Sequence, residues 1–321
     1  MSNTLNGVFL DLETVDQADL DLSKLKQALP HWQFHAATAR NETAERIRDA
    51  AIVISNKVIL DRDTLHQAKQ LRLICIAATG TNNVDLEAAR EFGITVTNVT
   101  GYGTPSVVQH VFSLMLALTT RLADYNQAVI SGAWQQSSQF CLLNFPIHEL
   151  AGKNLGIIGY GELGRAVAEV AKVFDMKVLI TQRPRSDSQT DRIPLAELLP
   201  QADVLTLHCP LADNTKNLIG QKELALMKKE ALLINTARGG IVDEEALASA
   251  LRLGKIGGAG VDVLIQEPPV KGNPLLEPDI PNLIVTPHIA WASRESRQRL
   301  VDELVANIQA YLQGEVRNLI V

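Results

Sequence analysis

Short apolar runs alternate with amphipathic stretches along the first third of the chain. The runs are VFLDL, WQFHA, AAIVIS, LRLICIA and ITVTNV. Between them, apolar residues recur at helical spacing, for example over 20–29 and 61–70. Strands that alternate with helices are typical of βαβ units, so this part of the chain predicts a parallel sheet with helices packed against it.

A second alternation begins at Lys153. Its predicted strands are NLGIIG, KVLIT, ADVLTLH, ALLINTA, GGAGVDV and NLIVT, and its predicted helices are 162–174 and DEEALASALRLG. Between the two alternating parts, 104–131 carries apolar residues at helical spacing, and Pro105 suits the first turn of a helix. This pattern predicts a long connecting helix that could be broken once.

The order of these elements predicts two α/β domains, each built on a doubly wound parallel sheet. The last predicted helix runs from about Ser293 to Leu312, and with charges on one face it would return to the first domain. We therefore expect one domain over 104–290, inserted into a smaller one made of 1–103 and 291–321.

The composition is that of an ordinary globular protein and narrows the choice of partners. Of 321 residues, 46% are hydrophobic and 21% are charged, which is enough to bury a full core. The net charge of −6 and the pI near 5.7 leave no basic surplus for nucleic acid or a membrane surface. The sequence begins without the features of a signal peptide, and no apolar run is long enough to span a bilayer. We therefore expect a cytoplasmic protein.

The three cysteines predict neither a disulfide framework nor a metal site. Cys75, Cys141 and Cys209 are far apart and lack the spacing of metal ligands. We expect reduced thiols that pack as small hydrophobic side chains, and no metal cofactor.

The segment LGIIGYGELG carries glycines where a dinucleotide-binding turn needs them. Gly159, Gly161 and Gly164 follow a predicted strand and open a predicted amphipathic helix. In such a turn the first glycine allows a tight bend, the second lets a pyrophosphate approach the backbone, and the third lets helix and strand pack closely. The helix N-terminus then faces the phosphates, so we predict that this domain binds a dinucleotide.

The residue expected to bind the adenosine ribose is not acidic. NAD sites place Asp or Glu about 20 residues after the glycines, where it accepts a hydrogen bond from the ribose 2′-hydroxyl. Here the segment TQRPR places Gln182 at that point, followed by Arg183 and Arg185. Two guanidinium groups without a carboxylate favour a 2′-phosphate, which predicts NADP(H). The alternatives are a solvated basic loop and NAD(H) binding with Asp187 as a late acid.

Three ionisable residues, Arg238, Glu267 and His288, follow three predicted strands of the same domain. Ligands of open α/β sheets bind at the carboxyl ends of the strands, so we expect these side chains at one crevice. Arginine can bind a carboxylate or keto oxygen, histidine can give a proton near neutral pH, and a carboxylate beside the histidine fixes its tautomer. Together they would suit reduction of a carbonyl beside a bound nicotinamide. Each alone could instead be structural, as a salt-bridged arginine, a solvated acid or a turn histidine, and His208 is a rival histidine.

A series of motifs covers essentially the whole chain. In chain order they are ATGTNNVD, GYGTPSVVQHVFSLMLAL, GIIGYGELG, LHCPL, LLINTARGGIVDEEAL, GAGVDVLIQEPP, NPLL and TPHIAWAS. Their kind and order resemble the D-isomer-specific 2-hydroxyacid dehydrogenases, and TGTNNVD and PHIAW are most similar to glycerate dehydrogenases, also called hydroxypyruvate or glyoxylate reductases. The resemblance implies a Rossmann dinucleotide-binding domain inserted into a smaller, flavodoxin-like substrate-binding domain.

The resemblance also implies a role for each matching position. Arg238 and His288 would bind the substrate, with His288 as the acid/base and Glu267 supporting it. The backbone around Thr79 and Gly80 would hold the substrate carboxylate. The implied cofactor-binding residues are Gly159, Tyr160, Gly161, Glu162, Leu163, Gly164, Gln182, Arg183, Arg185, His208, Pro210, Thr236, Ala237 and Asp262. Among them, Asp262 would hold the nicotinamide carboxamide.

The expected reaction is NAD(P)H-dependent reduction of hydroxypyruvate or glyoxylate to D-glycerate or glycolate. One alternative is a reductase of another 2-oxo acid, such as a phosphoglycerate dehydrogenase. The chain ends soon after its last predicted helix, so we expect no C-terminal regulatory domain of the kind that some of those enzymes carry. The other alternative is a non-catalytic, dinucleotide-sensing protein on the same scaffold.

The resemblance further implies a homodimer built on the apolar helix 104–131 and the loop 133–150. We expect the loop aromatics Trp134, Phe140 and Phe145 to be exposed. Packing of both segments within one chain is the alternative.

Overall fold

The computed structural model describes residues 5–182, 192–315 and 317–321. The chain divides into two compact units, Met1–Gly103 together with Trp291–Val321, and Thr104–Ala290. We call them unit 1 and unit 2.

Strands and helices alternate in both units. The strands are β1 (Asn6–Phe9), β2 (His31–Phe34), β3 (Ile52–Ser55), β4 (Leu73–Ile76), β5 (Thr95–Thr97), β6 (Asn154–Ile158), β7 (Lys177–Ile180), β8 (Val204–Leu207), β9 (Leu232–Asn235), β10 (Gly258–Val261) and β11 (Leu283–Val285). The α-helices are α1 (Ser23–Ala28), α2 (Arg40–Ile47), α3 (Arg62–Gln67), α4 (Leu86–Glu91), α5 (Thr104–Thr120), α6 (Leu122–Ile130), α7 (Glu162–Val173), α8 (Leu195–Leu198), α9 (Gln221–Leu226), α10 (Glu244–Arg252) and α11 (Arg294–Leu312). The strands pair in parallel within both sheets, which confirms the predicted α/β fold with two parallel sheets.

The sheet of unit 1 has the strand order β2-β1-β3-β4-β5, which is the flavodoxin-like order. Side chains alternate between its two faces, and both faces are buried. Val8 and Val53 lie in the core on one face, and Phe9 and Ile54 lie in the core on the other. The second core is completed by α11, which contributes Leu300, Val301, Leu304, Val305 and Ile308.

The sheet of unit 2 has the strand order β11-β10-β9-β8-β6-β7. Because β6 lies between β7 and β8, the winding of the sheet reverses at β6, and a ligand crevice opens at such a point. Helix α5 packs against β9, β10 and β11. A Cβ on Gly260 of β10 would lie 3.0 Å from Cβ of Leu114, so the glycine lets α5 approach the sheet closely.

The long connecting helix is broken once. Arg121 has φ +52°, in the left-handed region, and separates α5 from α6. The two helices are bent by 58° at this break. Across the described ranges, no single helix is long and apolar enough to cross a membrane, and only this bent pair passes that test when its halves are taken together.

The aromatic residues after α6 differ in exposure. Trp134 and Phe140 are 50% and 90% exposed. Phe145 is half-buried, so the expectation that it is exposed was wrong. Its ring packs edge-to-face on Tyr125 at 5.2 Å, and the Tyr125 hydroxyl donates to its carbonyl oxygen at 2.7 Å.

Candidate active site

The glycine-rich turn lies where the sheet of unit 2 reverses its winding. Gly159 follows β6 with φ +93°, and a Cβ there would lie 2.5 Å from the carbonyl carbon of His208, which follows β8. A Cβ on Gly164 would overlap the carbonyl oxygen of Gly159. Gly161 is the N-cap of α7, and a Cβ there would meet no atom within 4 Å. The first and third glycines therefore permit close packing, and the second borders open space at a helix N-terminus, as a pyrophosphate requires.

The other residues of the turn lie around this open space. Tyr160 and Leu163 are half-buried, and Glu162 is exposed at the first turn of α7. The Glu162 carboxylate accepts a hydrogen bond from Thr104 Oγ1 at 2.5 Å. The carbonyl of Tyr160 accepts from Arg165 Nη1 at 3.4 Å.

Two buried polar atoms beside the turn lack a partner within the described residues. They are His208 Nδ1 and Thr236 Oγ1. These residues follow β8 and β9, whose last residues Leu207 and Asn235 are paired in register. Burial lowers the pKa of His208 to about 4, so its imidazole is neutral at pH 7. A buried polar group needs a hydrogen-bond partner, and the uncharged hydroxyl and amide groups of a dinucleotide are of the right kind, so these residues fit such a cofactor.

The remaining cofactor candidates follow the strand ends. Pro210 is exposed and Ala237 is buried. Gln182 follows β7, where its backbone N–H donates to the carbonyl of Ile193 at 2.9 Å. Its side chain is half-buried. Arg183, Arg185 and the alternative acid Asp187 lie outside the described residues.

The loop after β9 presents Arg238. Asn235 anchors the loop, because its Oδ1 accepts from Ala237 N at 3.1 Å and its Nδ2 donates to the Arg238 carbonyl at 3.0 Å. Arg238 Nη1 donates to the Ala237 carbonyl at 2.7 Å, and the side chain is exposed. Arg238 takes part in none of the ion pairs formed within the described ranges, so the salt-bridge alternative has no partner there.

His288 and Glu267 are in direct contact. His288 Nδ1 lies 2.6 Å from Glu267 Oε2, and the two side chains are 30% and 35% exposed. Glu267 Oε1 accepts from Leu264 N at 2.8 Å. The pair is thus fixed by the backbone after β10 and still accessible to a small ligand.

The Arg238 loop adjoins the loop that holds Glu267. A Cβ on Gly239 would overlap the carbonyl oxygen of Leu264, whose N–H binds Glu267. Three of the sequence candidates, Arg238, Glu267 and His288, therefore lie on adjoining loops at the carboxyl ends of β9, β10 and β11.

Asp262 is buried at the end of β10, with 1% of its surface exposed. Its Oδ1 accepts from Thr286 Oγ1 at 2.5 Å and from Ile289 N at 2.9 Å. Its Oδ2 accepts from Ala290 N at 2.9 Å. A carboxylate offers about four acceptor positions, so three protein donors leave capacity for one more.

Sequence reasoning missed Thr286, Ser106 and His110, which lie around Asp262. His110 Nε2 lies 3.0 Å from Thr286 Oγ1, and Ser106 Oγ donates to the Ala290 carbonyl at 2.7 Å. The signal that could have found Ser106 and His110 is that these two polar residues lie four positions apart, on one side of the mostly apolar helix α5.

Thr79 and Gly80 belong to unit 1, in the loop after β4. Thr79 Oγ1 donates to the Val99 carbonyl at 2.9 Å, and Asn98 Nδ2 donates to the Thr79 carbonyl at 2.8 Å. These bonds tie the loop to the end of β5. The role of Thr79 and Gly80 toward a substrate stays a prediction.

The described part of the chain holds no group of three or more His, Cys, Asp or Glu side chains that could bind a metal ion. Cys75, Cys141 and Cys209 are thiols, and burial raises the pKa of Cys75 to about 12.

Comparisons of the sequence and of the structure with known proteins point to one family. A family model described as "D-isomer specific 2-hydroxyacid dehydrogenase, NAD binding domain" matches residues 112–290. The chain is 46% identical to a glycerate dehydrogenase from Methylorubrum extorquens, covering 99% of both chains. It is 38% identical to a hydroxypyruvate reductase from Blautia hydrogenotrophica, covering 98% of both. The crystal structure of the TT0316 protein from Thermus thermophilus superposes with a TM-score of 0.86 at 34% identity, covering 99% of this chain and all of that one.

Proposed function

Because the chain belongs to the family of D-isomer specific 2-hydroxyacid dehydrogenases, we propose that it reduces a small 2-oxo acid to the D-2-hydroxy acid, with hydroxypyruvate and glyoxylate as its first substrates. The observation that carries this proposal is the contact of 2.6 Å between His288 Nδ1 and Glu267 Oε2, on loops adjoining that of Arg238. The names of the similar glycerate dehydrogenase and hydroxypyruvate reductase support the same substrate class.

His288 is the acid that protonates the substrate oxygen. Glu267 holds Nδ1 and sets the tautomer, so the proton exchanged with the substrate is the one at Nε2. Before the reaction the His288 imidazole carries both protons, and the carboxylate of Glu267 stabilises this cation. As the carbonyl oxygen of the substrate gains negative charge, His288 gives it the proton from Nε2.

Arg238 binds and polarises the substrate. Its guanidinium is a permanent cation with a planar set of donors, which suits a carboxylate and an adjacent keto oxygen. The anchoring of its loop by Asn235 fixes the position from which the side chain reaches out. Positioning of the two oxygens would orient C2 of the substrate for reduction.

A nicotinamide dinucleotide, when bound, supplies the hydride. The residues that would hold it are the Gly159–Gly164 turn at the phosphates, Gln182 at the adenosine ribose, and the segments around His208 and Thr236 near the unpartnered buried atoms. The remaining acceptor capacity of Asp262 suits the amide of a nicotinamide.

We propose NADPH over NADH, because Gln182 puts a neutral side chain where a carboxylate would repel a 2′-phosphate. Gln182→Asp should raise KM for NADPH by about tenfold, because the new carboxylate repels the 2′-phosphate. It should lower KM for NADH, because the same carboxylate can accept a hydrogen bond from the ribose 2′-hydroxyl. Initial rates with each coenzyme at saturating hydroxypyruvate measure both. Gln201→Asp, an exposed change elsewhere in unit 2, is the matched control. A wild-type enzyme that strongly prefers NADH would refute this assignment.

A homodimer is proposed from the surface of α6 and the loop after it. No residue of α6 is buried, and its large apolar side chains Leu122 and Ile130 are 62% and 70% exposed. Phe140 and Leu143 add 90% and 76% exposed side chains from the loop. A cluster of large exposed apolar side chains marks a protein interface, and the occupant proposed is a second copy of this chain.

Light scattering tests the dimer. The expected mass is about 70 kDa, twice the 35.0 kDa of one chain. Ile130→Asp should shift the mass toward that of the single chain, since a buried carboxylate without a partner opposes association. A wild-type mass of one chain at all concentrations would contradict the proposal.

A further inference from the structure

The segment that carries His288 has an unusual backbone. His288 itself has φ +56°, in the left-handed region that few residues other than glycine occupy. Its N–H donates to the carbonyl oxygens of Asp262 at 2.8 Å and Thr286 at 3.0 Å. Such a conformation persists only where neighbouring contacts hold it.

The Asp262 carboxylate makes three further hydrogen bonds to this segment. It binds the segment on both sides of His288, through the Thr286 hydroxyl before it and through the Ile289 and Ala290 N–H groups after it. The carboxylate therefore clamps the backbone that aims the imidazole at Glu267.

Helix α5 also contacts the segment 286–290. Ser106 and His110 lie one turn apart on its buried face, and both reach the segment 286–290. Thr286 has one hydroxyl proton, and it goes to Asp262 Oδ1 at 2.5 Å. The oxygen of Thr286 therefore accepts from His110 Nε2 at 3.0 Å, which places a proton on that nitrogen.

His110 also lies near the carboxylate itself. Its Nε2 is 3.5 Å from Asp262 Oδ1, and its side chain is 18% exposed. Losing the N–H donor of His110 would leave the Thr286 oxygen without this hydrogen bond and would remove a polar group that lies beside the buried carboxylate. The close approach of α5 to β10 at Gly260 is what brings the ring within reach.

We propose that His110 is a positioning residue for His288, acting through Thr286 and Asp262. This inference rests on the proposed function, in which His288 is the proton donor. Loss of the His110 donor would let the segment 286–290 relax and misalign the imidazole. The expected effect is on the chemical step, because neither Arg238 nor its loop is bound by this network.

The kinetic test compares His110→Phe with His110→Gln. Phenylalanine keeps a ring but removes the donor, and glutamine restores an N–H donor at a similar reach. His110→Phe should lower kcat for hydroxypyruvate by about tenfold to 10²-fold with KM near the wild-type value, as misplacement of a catalytic group does. His110→Gln should recover most of kcat. Val111→Ala, a buried neighbour on α5, is the control for loosened packing and should keep the wild-type kcat.

Three results would overturn the inference. They are a wild-type kcat in His110→Phe, an equal loss in His110→Phe and His110→Gln, or an equal loss in Val111→Ala. Thr286→Val removes only the relaying hydroxyl and takes the place of His110→Phe if that variant does not fold.

A spectroscopic readout separates this inference from the proposed function. In ¹⁵N-histidine NMR of the unliganded protein, His110 should show its proton on Nε2, and the ring nitrogens of His288, assigned with His288→Gln, should shift in His110→Phe but return in His110→Gln. Unchanged His288 resonances in His110→Phe would overturn the inference even in an active enzyme. A wild-type protein without turnover would remove the proposed function, and the NMR result would still decide whether His110 positions His288.

Discussion

His288→Ala is expected to lower kcat for hydroxypyruvate reduction by about 10²- to 10⁴-fold, the range typical for loss of a general acid. The alkoxide formed at C2 would then have to take its proton from water. KM for the coenzyme should change little, because the glycine-rich turn and His208 lie after β6 and β8. The Asp262 carboxylate is held by the backbone N–H groups of Ile289 and Ala290, which the substitution keeps. Single-turnover oxidation of NADPH measures the chemical step.

The control for His288 is an exposed histidine of unit 1. His66 lies exposed on α3, where its ring contacts Lys69 and Phe92, so His66→Ala should leave kcat at the wild-type value. Glu267→Gln should fall between wild type and His288→Ala, since the amide still positions the ring but no longer stabilises its cation. Near-wild-type turnover in His288→Ala would end the assignment of His288 as the acid.

Arg238→Ala should lower kcat/KM for the 2-oxo acid by about 10²- to 10³-fold, the cost of removing one electrostatic contact to a developing oxyanion. KM for the substrate should rise as well, because the same guanidinium binds the carboxylate. Arg238→Lys should recover only part of this loss, since an ammonium keeps the charge without the planar fork. Steady-state kinetics over a range of hydroxypyruvate concentrations separates the two effects.

Arg252→Ala is the control for Arg238. Arg252 is on α10, where its Nε and Nη2 donate to the Asp279 carboxylate at 2.7 and 2.8 Å. Its removal should affect stability only, and by little, because the pair is exposed. An Arg238→Ala enzyme with kcat/KM close to that of Arg252→Ala would contradict substrate binding by Arg238.

The architecture was predictable because the burial of the strands is visible in the sequence. VLTL in β8 and LLIN in β9 are buried throughout, which requires a sheet covered on both faces. Capping residues also indicated where a helix begins. Ser293 caps α11 through Ser296 N at 3.2 Å, where the last helix was expected to begin.

The candidate site was predictable as far as strand ends determine it. Glu267 and His288 are 21 residues apart along the chain, and parallel pairing of β10 with β11 brings their loops together. The contact between them agrees with the prediction that an acid supports the histidine, and their catalytic roles remain proposals for the experiments above.

The hydrogen bonds that link His110 and Thr286 to Asp262 could not be predicted from the sequence. His110 and Thr286 are 176 residues apart, and their contact depends on how closely α5 packs on the sheet. The burial of Phe145 likewise depends on Tyr125 and Arg121, contacts that composition does not reveal. Periodicity predicts which face of an element is buried, but the partner of a polar residue on that face follows only from tertiary packing.

The most direct test of the whole account is the initial rate of NADPH oxidation by the purified wild-type protein with hydroxypyruvate, glyoxylate and pyruvate, followed by chiral analysis of the product. We expect oxidation that depends on the 2-oxo acid, fastest with hydroxypyruvate, and D-glycerate as the product. Saturable binding of NADPH without oxidation in the presence of any of these acids would contradict the account and would identify a dinucleotide-sensing protein instead.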